Sequence, residues 1–328
     1  MEARWQAWLV ENLLLGVPDS DLLAPLEEAG HSRAEVEAEV AAARAHPYLQ
    51  GALKVAGRLA RREWLLRTLT TLSNLDPVRL EALPFPSREG FLREHYARSL
   101  PGYFPGAASD WSALAWSPAA LSERFGDRTV EVQWGRGGDP LYEPHSNNYR
   151  RKVTFRELGE AIAAGPSNDV YLTANNSRAN AWLIEELSPE LGSLGPVGEI
   201  LDPARLVEGT FLWVGPQGVV TPLHHDLTNN LFVQVSGRKR FYLASSLQVD
   251  ALYNHHHVYS TACLREPDLE TCPEMARVRT LEVELGPGDV LYLPVGWWHE
   301  VVGSTPSTSL TFTGFRWPND FPRASESL

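Results

Sequence analysis

A histidine and an aspartate separated by one residue, His224 and Asp226, form the pair in this sequence best suited to chemistry. They open a stretch of alternating residues that predicts a β-strand, in which side chains two positions apart share one face. An imidazole and a carboxylate side by side are two of the three protein ligands of a 2-His-1-carboxylate iron site, which leaves positions open for reactants. Such a site needs a second histidine from elsewhere in the chain.

A second motif, residues 286–302, supplies a histidine in a matching context. Its glycines and proline at 286–289 predict a turn, and the apolar run Val290–Pro294 predicts a buried strand. His299 follows, 73 residues after Asp226, which leaves room for several strands between the ligands. The short pattern HxD is common by chance, but this order and distance favour a single site built from all three side chains.

The pattern G-x5-P-x-G-x2-H that ends at His299 resembles the second motif of cupin barrels. With the segment TPLHHD (Thr221–Asp226) and the later Lys239, the chain resembles the JmjC-type, cupin-like 2-oxoglutarate oxygenases over roughly residues 87–318. The bacterial cupin-like domain family and the asparaginyl hydroxylase of hypoxia signalling are of this type. The resemblance implies an all-β core with helices, a double-stranded β-helix (jelly roll), that uses Fe(II), 2-oxoglutarate and O₂. The metal ligands that it implies are His224, Asp226 and His299.

The lysine at position 239 carries a physical argument of its own. On the predicted strand Lys239–Ala244, Lys239 shares a face with apolar side chains and should point into the barrel. A buried lysine is costly unless it is paired with an anion. In the resembled enzymes a lysine fifteen residues after the first ligand histidine binds the far carboxylate of 2-oxoglutarate. The resemblance implies that in this chain Thr221 adds a hydrogen bond to that carboxylate and that Asn230 lines the pocket. A solvent-reaching surface lysine is the alternative.

Three further positions bear on co-substrate binding. Tyr171, on the predicted short strand Asp169–Ala174, occupies the place of a tyrosine that reaches the 2-oxoglutarate carboxylate in related enzymes, but an ordinary core tyrosine is an equal alternative. Relatives often carry an asparagine fifteen residues after the distal histidine, and cupins one four residues after it. Here these positions are Gly314 and Gly303. These departures concern co-substrate geometry and oxygen access, and they leave the metal ligands intact.

The other histidines have simpler interpretations. His145 lies in the long polar loop Gly135–Lys152, which is a candidate substrate lid, and a surface position is favoured over a substrate contact. The run His255–His257 is expected in a partly exposed loop, because adjacent residues of a strand alternate faces and do not easily bind one ion. His225 should face away from His224 and serve packing.

The chain divides by composition into a helical region at residues 1–76, a proline-containing linker at 77–86, and an oxygenase domain at 87–328. In the domain, we predict a helix at Val153–Ala164, with Thr154 as its candidate N-cap. The predicted strands that surround the motifs are Thr129–Trp134, Leu206–Val214, Asn230–Val235, Lys239–Ala244 and Ser309–Phe315.

The N-terminal region predicts short helices followed by a long amphipathic helix, Tyr48–Leu75. Ser32 and Glu35 form a capping-box signature before the helix Val36–Ala45. The helices are candidates for a docking module or a homodimer surface. A basic patch on the long helix is a solvated face or a binding face, and it consists of Arg58, Arg61, Arg62 and Arg67.

Bulk composition limits the partners and the compartment. The 328 residues are 43% apolar, enough for a sizeable core, and the formal charge of −12 argues against non-specific binding of nucleic acid or anionic membrane. The start of the chain lacks the basic region of a signal peptide, and no apolar run approaches the ~20 residues of a membrane helix. We expect a soluble cytoplasmic protein in which Cys263 and Cys272 are free thiols; one disulfide is the alternative.

The leading functional hypothesis is hydroxylation of a protein or peptide side chain, with release of succinate and CO₂. It rests on analogy with related hydroxylases, and fold alone does not fix a substrate. Removal of an N-methyl group and oxidation of a small molecule are alternatives within the same chemistry. A catalytically silent cupin-like binding module is the alternative from another class. A zinc cupin without 2-oxoglutarate is disfavoured by Lys239 and by the HxD pair.

Overall fold

The computed structural model describes residues 1–192, 194–319 and 321, including every side chain among them except that of His255. Contacts divide the chain into two compact units, Met1–Leu75 and the residues from Asp76 onward. Within the described ranges, no helix combines the length and the apolar character needed to cross a lipid bilayer.

The first unit, in which every residue is described, is helical. Its elements are α1 (Ala3–Leu15), α2 (Asp19–Glu28), α3 (Arg33–Ala45) and α4 (Pro47–Ser73). The predicted capping box is confirmed, since the Ser32 hydroxyl accepts from the Glu35 N–H and the Glu35 carboxylate accepts from the Ser32 N–H. Helices α1–α3 and the beginning of α4 share one apolar core. Its buried members are Leu9, Leu13, Leu22, Leu26, Val36, Val40 and Leu49.

The second unit is a β-structure with short helices. Its helices are α5 (Arg88–Phe91), α6 (Pro118–Phe125), α7 (Phe155–Ala163) and α8 (Ala181–Leu191). Its strands are β1 (Gly102–Phe104), β2 (Thr129–Trp134), β3 (Arg150–Thr154), β4 (Val170–Tyr171), β5 (Thr210–Gly215), β6 (Val220–His225), β7 (Asn230–Ser236), β8 (Lys239–Ala244), β9 (Asn254–His256), β10 (Tyr259–Ser260), β11 (Thr280–Leu285), β12 (Val290–Leu293), β13 (Trp298–Gly303) and β14 (Ser307–Phe312).

Two antiparallel sheets form the jelly roll that the sequence predicts. One has the strand order β1-β12-β7-β14-β5, and the other has the order β11-β8-β13-β6-β10-β9. Apolar side chains from both sheets form a common core, in which the rings of Phe232 and Phe241 meet edge to face at 4.7 Å between centroids. Burial of these aromatic faces is the main favourable term that holds two such sheets together. A third sheet, β3-β2-β4, lies in the segment before the barrel.

Several sequence predictions are confirmed, and several have the wrong bounds. The strands Thr129–Trp134 and Lys239–Ala244 begin and end as predicted, and Thr154 caps α7 as expected. The predicted strand Leu206–Val214 begins only at Thr210, and Ser309–Phe315 is in fact Ser307–Phe312. Both errors occur where Gly209 and Gly314 pack so closely that a Cβ on Gly209 would lie 2.7 Å from the Gly314 nitrogen. Sequence alone does not reveal such a close approach of two backbone segments.

Three further predictions, two of loops and one of a strand, need correction. The end of the polar loop Gly135–Lys152 is strand β3, which pairs with β2. The predicted strand Asp169–Ala174 is reduced to β4, because Thr173 and Asn176 form a capping box that starts a helical turn. In the histidine run, Asn254–His256 forms strand β9 and only His257 leaves it, with a positive φ of 53°.

The residues predicted as a linker make contacts within the second unit. The Leu83 N–H donates to the Tyr103 carbonyl, and Phe85 packs on Phe91 and Phe104 at 5.8 and 4.9 Å between ring centroids. Val78 is half-buried against the barrel core.

Glycine at position 303 is required by close packing at the end of β13. A Cβ there would lie 2.9 Å from Val219 Cγ1 and 3.1 Å from the Pro216 carbonyl oxygen. At Gly314 it would lie 2.7 Å from the Arg205 carbonyl oxygen. The asparagines that relatives often carry at these two positions therefore have no room here.

We predict that Gly303→Ala lowers the free energy of unfolding of the second unit by about 1–3 kcal/mol, because the added methyl group overpacks a fitted contact. Urea denaturation followed by tryptophan fluorescence measures this loss. Gly138→Ala is the matched control, since nothing lies within 4 Å of a Cβ at that position. Equal stability of the two variants would contradict the packing argument.

Candidate metal and co-substrate site

Pairing of β6 with β13 places the two ligand histidines opposite each other. His224 and His299 are direct partners in the ladder, and their rings lie 4.1 Å apart between centroids. Asp226 follows at the end of β6, with Oδ1 3.7 Å from His224 Nε2 and Oδ2 3.7 Å from His299 Nε2. One ligand atom from each of the three residues lies within 4.8 Å of the others, and no other group of this kind occurs among the described residues.

Hydrogen bonds fix which nitrogen of each histidine faces the centre. His224 Nδ1 lies 2.8 Å from the Pro222 carbonyl and His299 Nδ1 lies 3.1 Å from the Trp297 carbonyl, so each Nδ1–H donates to the backbone. Both Nε2 lone pairs are then directed towards Asp226. Burial, together with the neighbouring His299, lowers the pKa of His224 to about 4, which keeps its imidazole neutral as metal ligation requires. This donor set of two imidazole nitrogens and one carboxylate fits Fe(II).

The carboxylate of Asp226 is oriented by a neighbouring amide. Asn230 Nδ2 donates to Asp226 Oδ2, and the Gly296 N–H donates to the Asp226 carbonyl at 3.2 Å. Asn230 was predicted to line the co-substrate pocket, and it does line the cavity, but its amide N–H₂ is used on the ligand aspartate. Its Oδ1 is buried and has no hydrogen-bond partner among the described residues, so an acceptor remains for a bound group.

A clamp of two asparagines ties the ligand-bearing turns together. The Asn229 N–H donates to Asn319 Oδ1 at 2.8 Å, and Asn319 Nδ2 donates back to the Asn229 carbonyl at 2.9 Å. The Asn229 side chain accepts from the Val295 N–H at 2.9 Å and from the Tyr292 hydroxyl at 3.0 Å. The turn that follows Asp226 is thus joined to the turn that precedes His299. Sequence analysis missed this clamp, because its members lie 90 residues apart.

Lys239 is buried, as strand parity predicted. Its side chain is 1% exposed, and Nζ donates to the Tyr171 hydroxyl at 2.8 Å and to Ser309 Oγ at 2.7 Å. No carboxylate of the described residues forms an ion pair with it. Burial lowers the pKa of Lys239 to about 7, because no anion compensates the lost hydration. Lys239 is therefore a buried donor whose hydrogen-bond partners among the described residues are the hydroxyls of Tyr171 and Ser309.

One cavity connects the metal ligands with this lysine. Its volume is about 310 Å³, sufficient for a five-carbon diacid. All seven residues predicted for the site line it, namely His224, Asp226, His299, Thr221, Lys239, Tyr171 and Asn230. Aromatic side chains form much of the remaining wall. They are Phe211, Trp213, Phe232, Phe241 and Tyr259.

A buried acidic residue also lines this cavity, and sequence analysis missed it. Glu143 is 5% exposed and accepts from Arg136 Nη1 at 2.7 Å and from Asn175 Nδ2 at 3.0 Å. Arg136 is fully buried and also donates to the Val220 carbonyl at 2.9 Å, which attaches the loop to β6. Both residues lie in the loop predicted as a polar lid. Nothing in a single sequence distinguishes buried loop charges from solvated ones.

The remaining candidate residues lie elsewhere. His145 bonds Asp139 at 2.8 Å, and its side chain is about half exposed. His225 packs edge to face on Trp298 at 4.8 Å between centroids, as a packing role predicted. Cys263 and Cys272 are both free, which confirms the favoured interpretation.

We predict that Asp226→Ala weakens binding of a divalent metal by at least about 100-fold, because it removes the only anionic ligand of the triad. Titration with Mn(II), followed by electron paramagnetic resonance, measures the affinity. His225→Ala is the matched control, since that ring lies beside the site without contributing a ligand atom. Unchanged Mn(II) affinity in Asp226→Ala would contradict the assignment of the three ligands.

Comparison with known proteins agrees with this geometry. Residues 87–315 match the family model described as the cupin-like domain. The chain is 41% identical over 248 residues to Jumonji C domain-containing protein 5 of Drosophila melanogaster, covering 73% of this chain and 60% of that protein. It is 29% identical over 282 residues to lysine-specific demethylase JMJ30 of Arabidopsis thaliana, covering 81% and 61%.

A third relative has a different named activity. The chain is 26% identical over 226 residues to tRNA wybutosine-synthesizing protein 5 of Danio rerio, covering 66% of this chain and 68% of that protein. The chain spans about three fifths of the length of the first two relatives. The family model covers well over half of the chain, and the fold and the His-Asp-His cluster agree with it. The chain therefore belongs to the cupin-like domain family of JmjC-type proteins.

Proposed function

We propose that this protein is an Fe(II)- and 2-oxoglutarate-dependent oxygenase that hydroxylates a side chain of a protein or peptide. The observation that carries the proposal is one cavity that contains both a 2-His-1-carboxylate triad and a buried lysine without a carboxylate partner among the described residues. The triad suits ferrous iron, and the lysine requires an anion. A silent binding module has no use for an intact ligand set whose nitrogens and carboxylate are all oriented by hydrogen bonds.

The residues of the chain have separable tasks in this reaction. His224, Asp226 and His299 would hold the metal. Lys239 and Tyr171, with Ser309 behind them, hold the far carboxylate of 2-oxoglutarate. When bound, ferrous iron supplies the oxidising chemistry, in which O₂ is consumed, 2-oxoglutarate leaves as succinate and CO₂, and one oxygen enters the substrate C–H bond.

Protein side chains keep this chemistry dry and directed. The rings of Trp213, Phe232 and Phe241 exclude water from the cavity, which strengthens the attraction between Lys239 and a carboxylate. The Tyr259 ring stacks on His224 at 5.7 Å and restricts its rotation. These contacts favour binding of the co-substrate in a single orientation, in a cavity from which water is excluded.

The carboxylate of Glu143 in the cavity wall is an argument for a substrate whose side chain carries hydrogen-bond donors. Its carboxylate accepts from Arg136, Gln133 and Asn175, and a carboxylate has about four acceptor sites. One acceptor remains for a donor that enters the cavity, and a basic side chain supplies such donors. Three of the related proteins are named lysine-specific demethylases, and lysine is a basic residue. Hydroxylation and N-methyl oxidation begin with the same kind of C–H bond.

Turnover tests the proposal directly. We expect the protein with Fe(II), O₂ and 2-oxoglutarate to release succinate, faster with a library of arginine- and lysine-containing peptides than with neutral ones. Mass spectrometry of the peptides then shows one added oxygen, or loss of a methyl group if N-methyl oxidation is the reaction. Asp226→Ala is the inactive control. Absence of both 2-oxoglutarate binding and succinate release would leave the binding-module alternative in the lead.

Co-substrate affinity tests the role of the lysine. We predict that Lys239→Met weakens 2-oxoglutarate binding about tenfold to a hundredfold, since a charge-assisted hydrogen bond contributes ~1.5–3 kcal/mol. Because burial lowers the pKa of Lys239 to about 7, the free protein loses this charge above pH 7, and wild-type affinity should fall as pH rises from 7 to about 9. In Lys239→Met this pH dependence should disappear.

Calorimetric titration with 2-oxoglutarate in the presence of Mn(II) measures both effects. Arg240→Met is the matched control, because Arg240 is the next residue of β8 and projects to solvent, where it pairs with Glu284. Equal affinity of wild type and Lys239→Met would place the far carboxylate elsewhere in the cavity.

A further inference from the structure

The outer half of α4, residues 54–73, presents large apolar side chains to solvent. Trp64 is 62% exposed and Leu72 is 56% exposed, although both belong to residue types that are normally covered. Other apolar side chains on the same stretch are also exposed. They are Val55, Leu59, Leu65 and Leu69. So many exposed large apolar side chains on one half-helix indicate an interaction site.

Helix length explains why the first unit leaves this surface uncovered. α4 has 27 residues and spans about 40 Å, whereas α1 and α3 have 13 residues each and span about 20 Å. The helix is continuous, so its outer half cannot fold back onto α1–α3 of the same chain. The apolar side chains of that unit that are buried end at Leu49, near the beginning of α4.

Charge identifies the kind of surface that the outer half fits. Residues 54–73 contain five basic residues and one acidic residue, a formal charge of +4, in a chain whose total is −12. Residues 1–45, which form α1–α3, contain nine acidic and three basic residues, a formal charge of −6. None of the five cations of the outer half forms an ion pair with a residue that the structure describes. The acidic Glu11, Glu27 and Glu28 are likewise exposed and unpaired within the described ranges.

The acidic helices also carry an apolar groove. A cavity of about 380 Å³ lies between α1, α3 and the beginning of α4, and most of its exposed wall is apolar. Val10, Ala42, Tyr48 and Ala52 are among its lining residues. The first unit therefore contains both halves of a complementary contact, an acidic grooved bundle and a basic apolar half-helix, which one copy cannot join to each other.

We propose that the chain forms a homodimer in which the outer half of α4 from each copy packs against α1–α3 of the other copy. The outer half of α4 from each copy contacts the other copy. The two contacts are therefore identical and related by a twofold axis, and the assembly stops at two copies. A simple side-by-side contact of the two outer halves is disfavoured, because it would bring two surfaces of formal charge +4 together. The reciprocal contact instead pairs a charge of +4 with one of −6 twice.

Light scattering after size-exclusion chromatography and sedimentation equilibrium of the full chain test the dimer. We expect a dimer at micromolar concentration whose Kd rises with ionic strength. Leu69→Asp on the outer half and Ala42→Arg in the groove should each raise Kd at least about tenfold, since they place a charge in the contact. Both positions are exposed on helices, and circular dichroism confirms that the variants fold.

A mixing experiment separates the reciprocal contact from other dimers. Each variant alone loses both contacts of its own dimer, but a mixture of Leu69→Asp with Ala42→Arg regains one intact contact. We expect a heterodimer at concentrations where each variant alone is monomeric. Leu269→Asp, at an exposed leucine of the second unit, is the matched control and should leave Kd unchanged.

Other outcomes would overturn the proposal. A monomeric wild-type chain at about 100 µM, a dimer insensitive to both variants, or a mixture no more associated than its parts would each do so. A dimer weakened equally by Leu269→Asp would place the interface on the second unit. None of these results depends on oxygenase activity, so the homodimer and the proposed function stand or fall separately.

Discussion

The register between β6 and β13 is the constraint on which the site depends. His224 pairs with His299 across this ladder, and a slip of one residue would turn one of the two rings to the opposite face. β13 also pairs with β8, where Gly303 lies opposite Lys239. A single run of three strands thus sets both the spacing of the two histidines and their separation from Lys239. The backbone hydrogen bonds of that run give the site its rigidity.

The cavity has an electrostatic character that a stability-optimised core would avoid. Lys239 is enclosed by the rings of Tyr171, Phe232 and Trp213, with its nitrogen 5.2–5.9 Å from their centroids. Its hydrogen-bond partners within the described ranges are two neutral hydroxyl oxygens. Aromatic faces and hydroxyl dipoles compensate part of the lost hydration, and a carboxylate compensates far more. Burial of the charged form of Lys239 therefore carries an unfavourable free-energy term, which the proposed co-substrate would reduce.

Short sequence patterns were sufficient to predict much of this site, because the alternation of side chains along single strands determines where several of its residues point. The HxD spacing and strand alternation place His224 beside Asp226, and parity places Lys239 inside. Ser309, which contacts Lys239, was not distinguished from other residues of the last strand, since a hydroxyl suits either face. Arg136 and Glu143 escaped prediction because only the folded loop removes them from water. The strand ends near Gly209 and Gly314 depend on a close approach between segments that are about a hundred residues apart in sequence.

The asparagine clamp also sets an order of assembly. Asn229 and Asn319 are separated by 90 residues, so their mutual hydrogen bonds form only after the chain between them has folded. These bonds need Asn319, which follows β13 in the chain, whereas the pairing of His224 with His299 does not. During synthesis the two histidine-bearing strands can pair as soon as β13 leaves the ribosome, yet the turn that carries Asp226 acquires its last restraint later. A nascent barrel should thus pass through a stage in which its two histidine strands are paired while the turn that carries Asp226 is not yet restrained by Asn319.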